Sequence, residues 1–319
     1  MTRTDKWRIV QWRSYKLKKR LIRAVCRRLY RDTNREISNS IVVAGTGRSG
    51  TTWLANIIAS QIPCRIMFEP FHSRLVKDFQ SFHYFHYMRP TEENSQLHFY
   101  CHKIFSGNIR HKWIDRQVDR LTSEYRLIKA IRANLFLKWL HNVFPEVRYL
   151  FIIRHPCAVV LSRMQLKWST DGDIEPFLAQ SKLVDDFLSH KLDFIKRAKT
   201  VEEKHAIIWC ISNLIPIKQF GLDRLNVIFY EDLVCQPEKE MAKIAQAINI
   251  DYNKSKVTEQ VAKPSTTTIR SSAILTGDDI IGRWKTELSP QQINNILSVV
   301  KSFALDYLYD DSIQPLVEL

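Results

Sequence analysis

The residues with the most evident chemistry lie between Ile41 and Leu54. The apolar run Ile41 to Ala44 passes into Gly45-Thr46-Gly47-Arg48-Ser49-Gly50-Thr51-Thr52, and Trp53 and Leu54 continue into a predicted helix. Backbone N–H groups of such a turn, added to the positive end of the helix behind it, make a cradle for an anion. A turn that only reverses the chain has no use for three glycines, an arginine and two threonines together. Two general phosphate templates fit. Gly45, Gly47 and Gly50 satisfy G-x-G-x-x-G, and Glu69 falls about 20 residues later at the end of the next predicted strand, as in a dinucleotide-binding unit. That reading makes the protein an NAD(P)-dependent oxidoreductase. Gly45 and Gly50 also have the spacing of a nucleoside-triphosphate loop, but Thr51 stands where that loop needs lysine, which disfavours triphosphate hydrolysis.

The elements that must position this loop follow an alternating pattern. Short β-branched runs predict strands at Ile41 to Ala44, Arg65 to Phe68, Leu127 to Ile131, Tyr149 to Ile153 and Asn226 to Phe229. Amphipathic stretches predict helices at Thr51 to Ser60, Leu135 to Phe144, Ala158 to Trp168, Phe177 to Lys199, Val201 to Ile211, Glu238 to Ile248 and Pro290 to Phe303. The alternation predicts an α/β fold, a central parallel sheet flanked by helices. No Pro/Gly-rich linker divides the body, so a single domain over residues 37–319 is expected, behind a basic arm at residues 1–36. Two stretches fit no simple period, Phe79 to His102 and Pro264 to Ser272, and both are expected to be loops over a site.

At Arg48-Ser49-Gly50-Thr51-Thr52-Trp53 the sequence resembles the 5′-phosphosulfate loop of sulfotransferases that use 3′-phosphoadenosine 5′-phosphosulfate (PAPS). In that family a Lys or Arg precedes Ser-Gly-Thr/Ser-Thr, the hydroxyls and amides hold the 5′-phosphate, and the aromatic lies by the adenine. Three further segments carry the resemblance in the family's order. Arg154, at the end of Leu150 to Ile153, with Ser162 in the following helix, looks like the 3′-phosphate motif. Phe229-Tyr230-Glu231-Asp232-Leu233 resembles the family's Tyr-Glu-Asp-Leu element, and Gly282-Arg283-Trp284-Lys285 its C-terminal Trp motif. The dinucleotide reading gives these three segments no role. PAPS carries several negative charges, and Arg48 and Arg154 on separate strand ends suit its two ends. The Arg-Lys-Gly that precedes the Trp motif in the cytosolic small-molecule branch is replaced here by Gly277-Asp278-Asp279, so Arg270 or Arg283 is the expected substitute. The catalytic His motif of that branch is not evident.

Sulfuryl transfer needs in-line attack by an acceptor oxygen, a base for its proton and positive charge at the bridging oxygen. Phe68-Glu69-Pro70 resembles an element of the glycan-sulfotransferase branch in which the glutamate is the general base, so Glu69 is the expected base, with His72 in reserve. Partial burial would make the carboxylate a better base. Lys129, in a Lys-x-x-Arg element with Arg132, is expected to steady the sulfonate, and Arg48 the leaving oxygen. No metal-ligand cluster is evident, and the scheme requires none. The resemblance implies transfer to a hydroxyl, or an amine, of a glycan, glycolipid or small natural product. Phe71 to Ile114 and Ser169 to Lys199 are expected to build the acceptor pocket, with Phe82, Tyr84, Phe85, Tyr87 and Trp113 as candidate stacking surfaces.

The chain has 319 residues and a formal charge of +15, which invites a guess of nucleic-acid binding. The position of that charge argues otherwise: residues 1–36 hold 13 Lys or Arg against three acids, +10 of the total, and no nucleic-acid partner is expected. Within this arm Leu17, Leu21, Val25 and Leu29 recur every fourth residue among Lys18, Lys19, Arg20, Arg23, Arg27 and Arg28. That is a basic amphipathic helix, suited to an anionic membrane surface, a phosphorylated partner or the protein's own domain. No apolar run approaches the roughly 18 residues of a membrane span, and no secretory signal is evident. Six dispersed cysteines predict reduced thiols. A cytoplasmic protein is expected, with a peripheral place at the membrane left open by the arm.

Overall fold

A computed structural model of the chain describes residues 21–222, 224–263 and 279–318. Its strands are β1 (Arg31–Asp32), β2 (Ser40–Gly45), β3 (Cys64–Phe68), β4 (Thr122–Ser123), β5 (Tyr125–Ala130), β6 (Arg148–Ile153) and β7 (Val227–Phe229). Five of them form one parallel sheet in the order β3-β5-β2-β6-β7, while β1 and β4 pair separately. The five strands expected from the sequence are these five.

Alternate residues of each strand serve opposite faces. Val42, Ala44, Ile128, Ala130, Phe151 and Ile153 enter one core cluster, and Ile41, Val43, Leu127, Leu150 and Ile152 the other. Helices Thr51–Gln61 and Pro237–Ile248 cover the second face; Pro156–Gln165, Val201–Phe220 and Pro290–Ser302 cover the first. With both faces covered the strands are largely apolar, and the buried charges they do carry, Arg65, Arg126 and Lys129, are paired or hydrogen-bonded. The carboxyl ends share one edge, and the strand order turns at β2, with β3 and β5 on one side and β6 and β7 on the other. Ligands of open α/β sheets bind in the crevice at such a switch point.

Three helical expectations change. The helix predicted to end at Ile211 runs on to Phe220, straight through Pro216. Proline has no N–H for the carbonyl of Ser212 four residues back, and Asn134 Nδ2 supplies that hydrogen bond instead, at 3.1 Å. The single helix predicted over Phe177 to Lys199 is several short pieces, among them Asp171–Leu178 and Leu192–Arg197. Gln180, buried at the break, accepts from the Tyr87 N–H at 2.8 Å and donates to the carbonyls of Phe85 at 2.8 Å and Pro176 at 2.7 Å. The stretch Phe79 to His102, expected as loop, turns helical at Ser95–Phe105, where Asn94 caps the Leu97 N–H. The Pro264 to Ser272 segment lies outside the described residues.

Residues 21–29 are helical, as the arm's periodicity predicts, and Cys26 and Tyr30 pack with Val118. The leucine stripe is not what docks: Leu21, Val25 and Leu29, together with Ile22, are all at least half exposed. The arm's last residues belong to the domain. Asp32 meets the fully buried Arg65 at 3.0 Å, Arg65 also meets Asp115 at 2.7 Å, and Arg126 donates to the carbonyls of Asn34 and Glu36. Cys26 and Tyr30 thus already pack on the body of the protein. Among the described residues no helix is long and apolar enough to cross a membrane. Five cysteines are buried free thiols and Cys235 is exposed.

Candidate active site

The phosphate-type loop leaves β2 at Gly45 and ends at Gly50, which caps the helix Thr51–Gln61 in a left-handed conformation (φ 94°). A Cβ at Gly50 would lie 2.5 Å from the Tyr230 ring, so sterics as well as dihedral angle require glycine there. Arg48 is itself left-handed (φ 84°), an uncommon state for a side-chain-bearing residue. The loop is braced from behind, where the Gly45 N–H donates to Asn134 Oδ1 at 3.2 Å. Asn134 therefore joins two gaps, the start of the loop and the carbonyl that Pro216 leaves open.

Above the strand ends lies a cavity of about 220 Å³. Each of the five strands contributes to its lining: the loop after β2 gives Arg48, Thr51, Thr52 and Trp53, β3 gives Glu69, β5 gives Lys129 and Arg132, β6 gives Arg154 and β7 gives Tyr230. His72, Phe68, Trp113 and Trp168 complete much of the wall.

Glu69 has φ 47° and is 1% exposed. Its carboxylate accepts from Lys129 Nζ, from Arg132 Nη1 at 3.0 Å and from the Ile131 N–H at 3.2 Å. The partial burial expected of Glu69 is thus complete burial between two cations. Burial pulls the Lys129 ammonium below its usual range, and Glu69 opposes that pull. His72 is pushed down to about 3 by burial and then by Arg132, so it is uncharged at neutral pH. Its Nδ1 has no partner, and the ring meets Tyr84 and Trp113 edge-on.

Arg48 does not stay over its own loop. Its Nε donates to Ser162 Oγ at 2.9 Å, tying the loop after β2 to the helix after β6. Burial, then Arg154, pushes the Arg48 guanidinium down to about 10, so it stays charged at neutral pH. Arg154 lies 4.3 Å over the Tyr230 ring and donates to the carbonyls of Arg48 at 3.3 Å and Ile280 at 3.2 Å. Trp53 packs against Tyr230 with ring centroids 5.2 Å apart. Ser49 Oγ and Arg154 Nε are buried with no protein partner.

Arg283 lies outside this cavity and pairs with Glu287, and Arg270 falls outside the described residues. The Trp motif acts one layer back: Trp284 stacks on His155 at 4.2 Å. Glu231, raised by burial, accepts from the His155 N–H at 3.0 Å and from Tyr309 at 2.7 Å, and so fixes the strand end that carries Arg154. Of the candidate stacking aromatics, Tyr84, Phe85 and Trp113 line cavities, while Phe82 and Tyr87 are buried in the core. Sequence reasoning passed over Arg132, Trp168 and Asn134 as site residues. Only Arg132 had a signal, its three-residue spacing from Lys129. Among the described residues no cluster of His, Cys, Asp or Glu could hold a metal ion.

Fold and cavity together define an α/β enzyme with a phosphate loop at the switch point of a parallel sheet. The family model described as "Sulfotransferase family" matches residues 40–254, and the chain belongs to the sulfotransferase family. No curated protein matches the chain. Solved structures similar to it include the sulfotransferase domain from the curacin biosynthetic pathway, at 15% identity over 83% of this chain and 96% of that one (TM-score 0.45). The sulfotransferase domain of the Synechococcus PCC 7002 olefin synthase is similar at 16% identity over 87% and 96% (TM-score 0.45). Mouse sulfotransferase SULT7A1, complexed with PAP, is similar at 14% identity over 85% of each chain (TM-score 0.45). The family match carries the assignment.

The Asn134 bridge is open to direct measurement. Asn134→Ala leaves the Gly45 N–H and the Ser212 carbonyl buried without partners, and is expected to lower unfolding free energy by about 2–4 kcal/mol in denaturant titrations. Adding Pro216→Ala restores a helical N–H for Ser212 and should return part of that loss. A double variant no more stable than Asn134→Ala would show that the bridge does not work this way.

Proposed function

We propose that the protein transfers the sulfonate of PAPS to an acceptor hydroxyl, or an amine, on a glycan, glycolipid or small natural product, and releases 3′-phosphoadenosine 5′-phosphate (PAP). The observation that carries this reading is the convergence of Arg48, Arg154, Lys129 and Glu69 from four strand ends on one cavity. The partnerless Ser49 Oγ and Arg154 Nε suit an anionic occupant, as do the first N–H groups of the helix Thr51–Gln61.

In this reading Ser49, Thr51, Thr52 and the loop amides hold the 5′-phosphate, with the adenine by Trp53. Arg154, Ser162 and Tyr230 take the 3′-phosphate, and Arg270 or Arg283 would complete that end. The acceptor oxygen attacks sulfur in line as the bond from sulfur to the bridging phosphate oxygen breaks, and the acceptor's proton passes to Glu69. Arg48 neutralises the oxygen that leaves. Lys129 touches Glu69 and lines the same cavity as the loop. Drawn to the sulfonate, it weakens its hold on Glu69 and leaves the carboxylate free to take the acceptor's proton. His72, uncharged, is placed to accept a hydrogen bond from the acceptor.

Labelled PAPS offered with acceptor pools should label an acceptor. Glu69→Gln should cut that turnover by roughly two to four orders of magnitude and leave PAP affinity near wild type. Normal turnover by Glu69→Gln would remove the base assignment and move attention to His72.

A second reading concerns place. Leu21, Ile22, Val25 and Leu29 are exposed on a helix that also bears Arg23, Arg27 and Arg28, the make-up of a helix lying at an anionic membrane surface. Cosedimentation should find the protein on phosphatidylserine-containing vesicles, weakened by salt, and not on pure phosphatidylcholine. A Leu21→Ser, Val25→Ser, Leu29→Ser triple variant that binds as well as wild type would contradict it.

A further inference from the structure

Beside the cavity is a chamber of about 240 Å³ that shares Gly47, Ile131, Arg132 and Trp168 with it. Three guanidiniums, Arg74, Arg132 and Arg163, line this chamber against a single carboxylate, Asp173. Arg163 is matched, with Nη2 2.8 Å from Asp173 and Nε donating to His205 Nδ1 at 3.0 Å. Arg132 gives Nη1 to Glu69 and Nη2 to the Tyr84 hydroxyl, which leaves its Nε buried with no partner. Arg74 has no ion pair among the described residues. It donates to the Gly172 carbonyl at 2.9 Å and lies 4.0 Å over the Tyr84 ring, the ring that Arg132 also covers at 4.3 Å. Thr46 Oγ1, on a residue 2% exposed, is likewise without a partner in the wall.

The charge balance on this side is uneven. Arg74, Lys129, Arg132 and Arg163 face only Glu69 and Asp173. Arg74 stands exposed at the rim of the chamber, whereas the Arg132 Nε is buried without a partner, which is costly unless a ligand supplies one. A guanidinium resting on an aromatic face keeps its donor fork free for a planar or tetrahedral oxyanion. We propose that the acceptor carries an anionic group, a carboxylate, phosphate ester or sulfate ester, beside the hydroxyl that receives the sulfonate, and that Arg74, Tyr84 and Arg132 bind it. This rests on the sulfotransferase reading.

The test uses the full chain saturated with PAP, so that the donor's phosphate positions are filled. Ligand-observed NMR titrations compare phenyl phosphate, phenyl sulfate and benzoate with neutral benzyl alcohol. At least one anion should bind about tenfold or more tightly than benzyl alcohol, the size of a single charge-assisted contact, and the best of the three names the group. Arg74→Gln should erase that preference while PAP affinity stays at the wild-type value. Equal binding of anions and benzyl alcohol overturns the proposal. So does a preference that survives Arg74→Gln, which would place the anion at the sulfonate position beside Lys129. Failure of the wild-type protein to bind PAP would instead strike the donor reading beneath it.

Discussion

Two cations on one strand end, Lys129 and Arg132, stay buried because one carboxylate stands between them. Glu69 reaches both from the neighbouring strand, and the Ile131 N–H completes its ligation. Without this carboxylate the two cations would lose the acceptor they share. This triad pins the end of β3 to the end of β5 and so fixes one side of the crevice.

The other side of the crevice depends on supports set one layer deeper. Glu231 holds the backbone at His155, and Trp284 stacks on the same residue, so Arg154 projects from a strand end that is fixed twice. Asn134 serves the loop after β2 in the same manner, using a carbonyl made available by a proline in a buried helix. Such residues touch no cavity surface. Their effect is to hold Arg48 and Arg154 at the wall of one small cavity.

Much of this was legible in the sequence, for physical reasons. Strands buried on both faces are largely apolar, so all five main strands stand out. A glycine turn between strand and helix marks an anion cradle, and the ends of those strands marked Glu69, Arg154 and Tyr230. What stayed hidden depends on contacts between distant segments. Nothing local to Pro216 says that Asn134, far away in the chain, will satisfy Ser212, so the helix was ended too early. Gln180 breaks a predicted long helix by bonding to Phe85 and Tyr87, again a tertiary override of local pattern. The leucine stripe of the arm was read correctly as a stripe, but packing on the domain uses Cys26 and Tyr30 and leaves the leucines outside. Glu69 stands out at a strand end, yet its two cationic partners come from a strand distant in sequence.

The central claim is that this crevice is built for a nucleotide carrying phosphate at both its 3′ and 5′ positions. The same three glycines and Glu69 also fit a dinucleotide fingerprint, so the decisive measurement is calorimetric titration of the purified protein with PAP and, separately, with NADH. The account predicts saturable binding of PAP at micromolar concentration or below, weakened by Arg154→Ala, and no binding of NADH in the same range. Tight binding of NADH with none of PAP would contradict it.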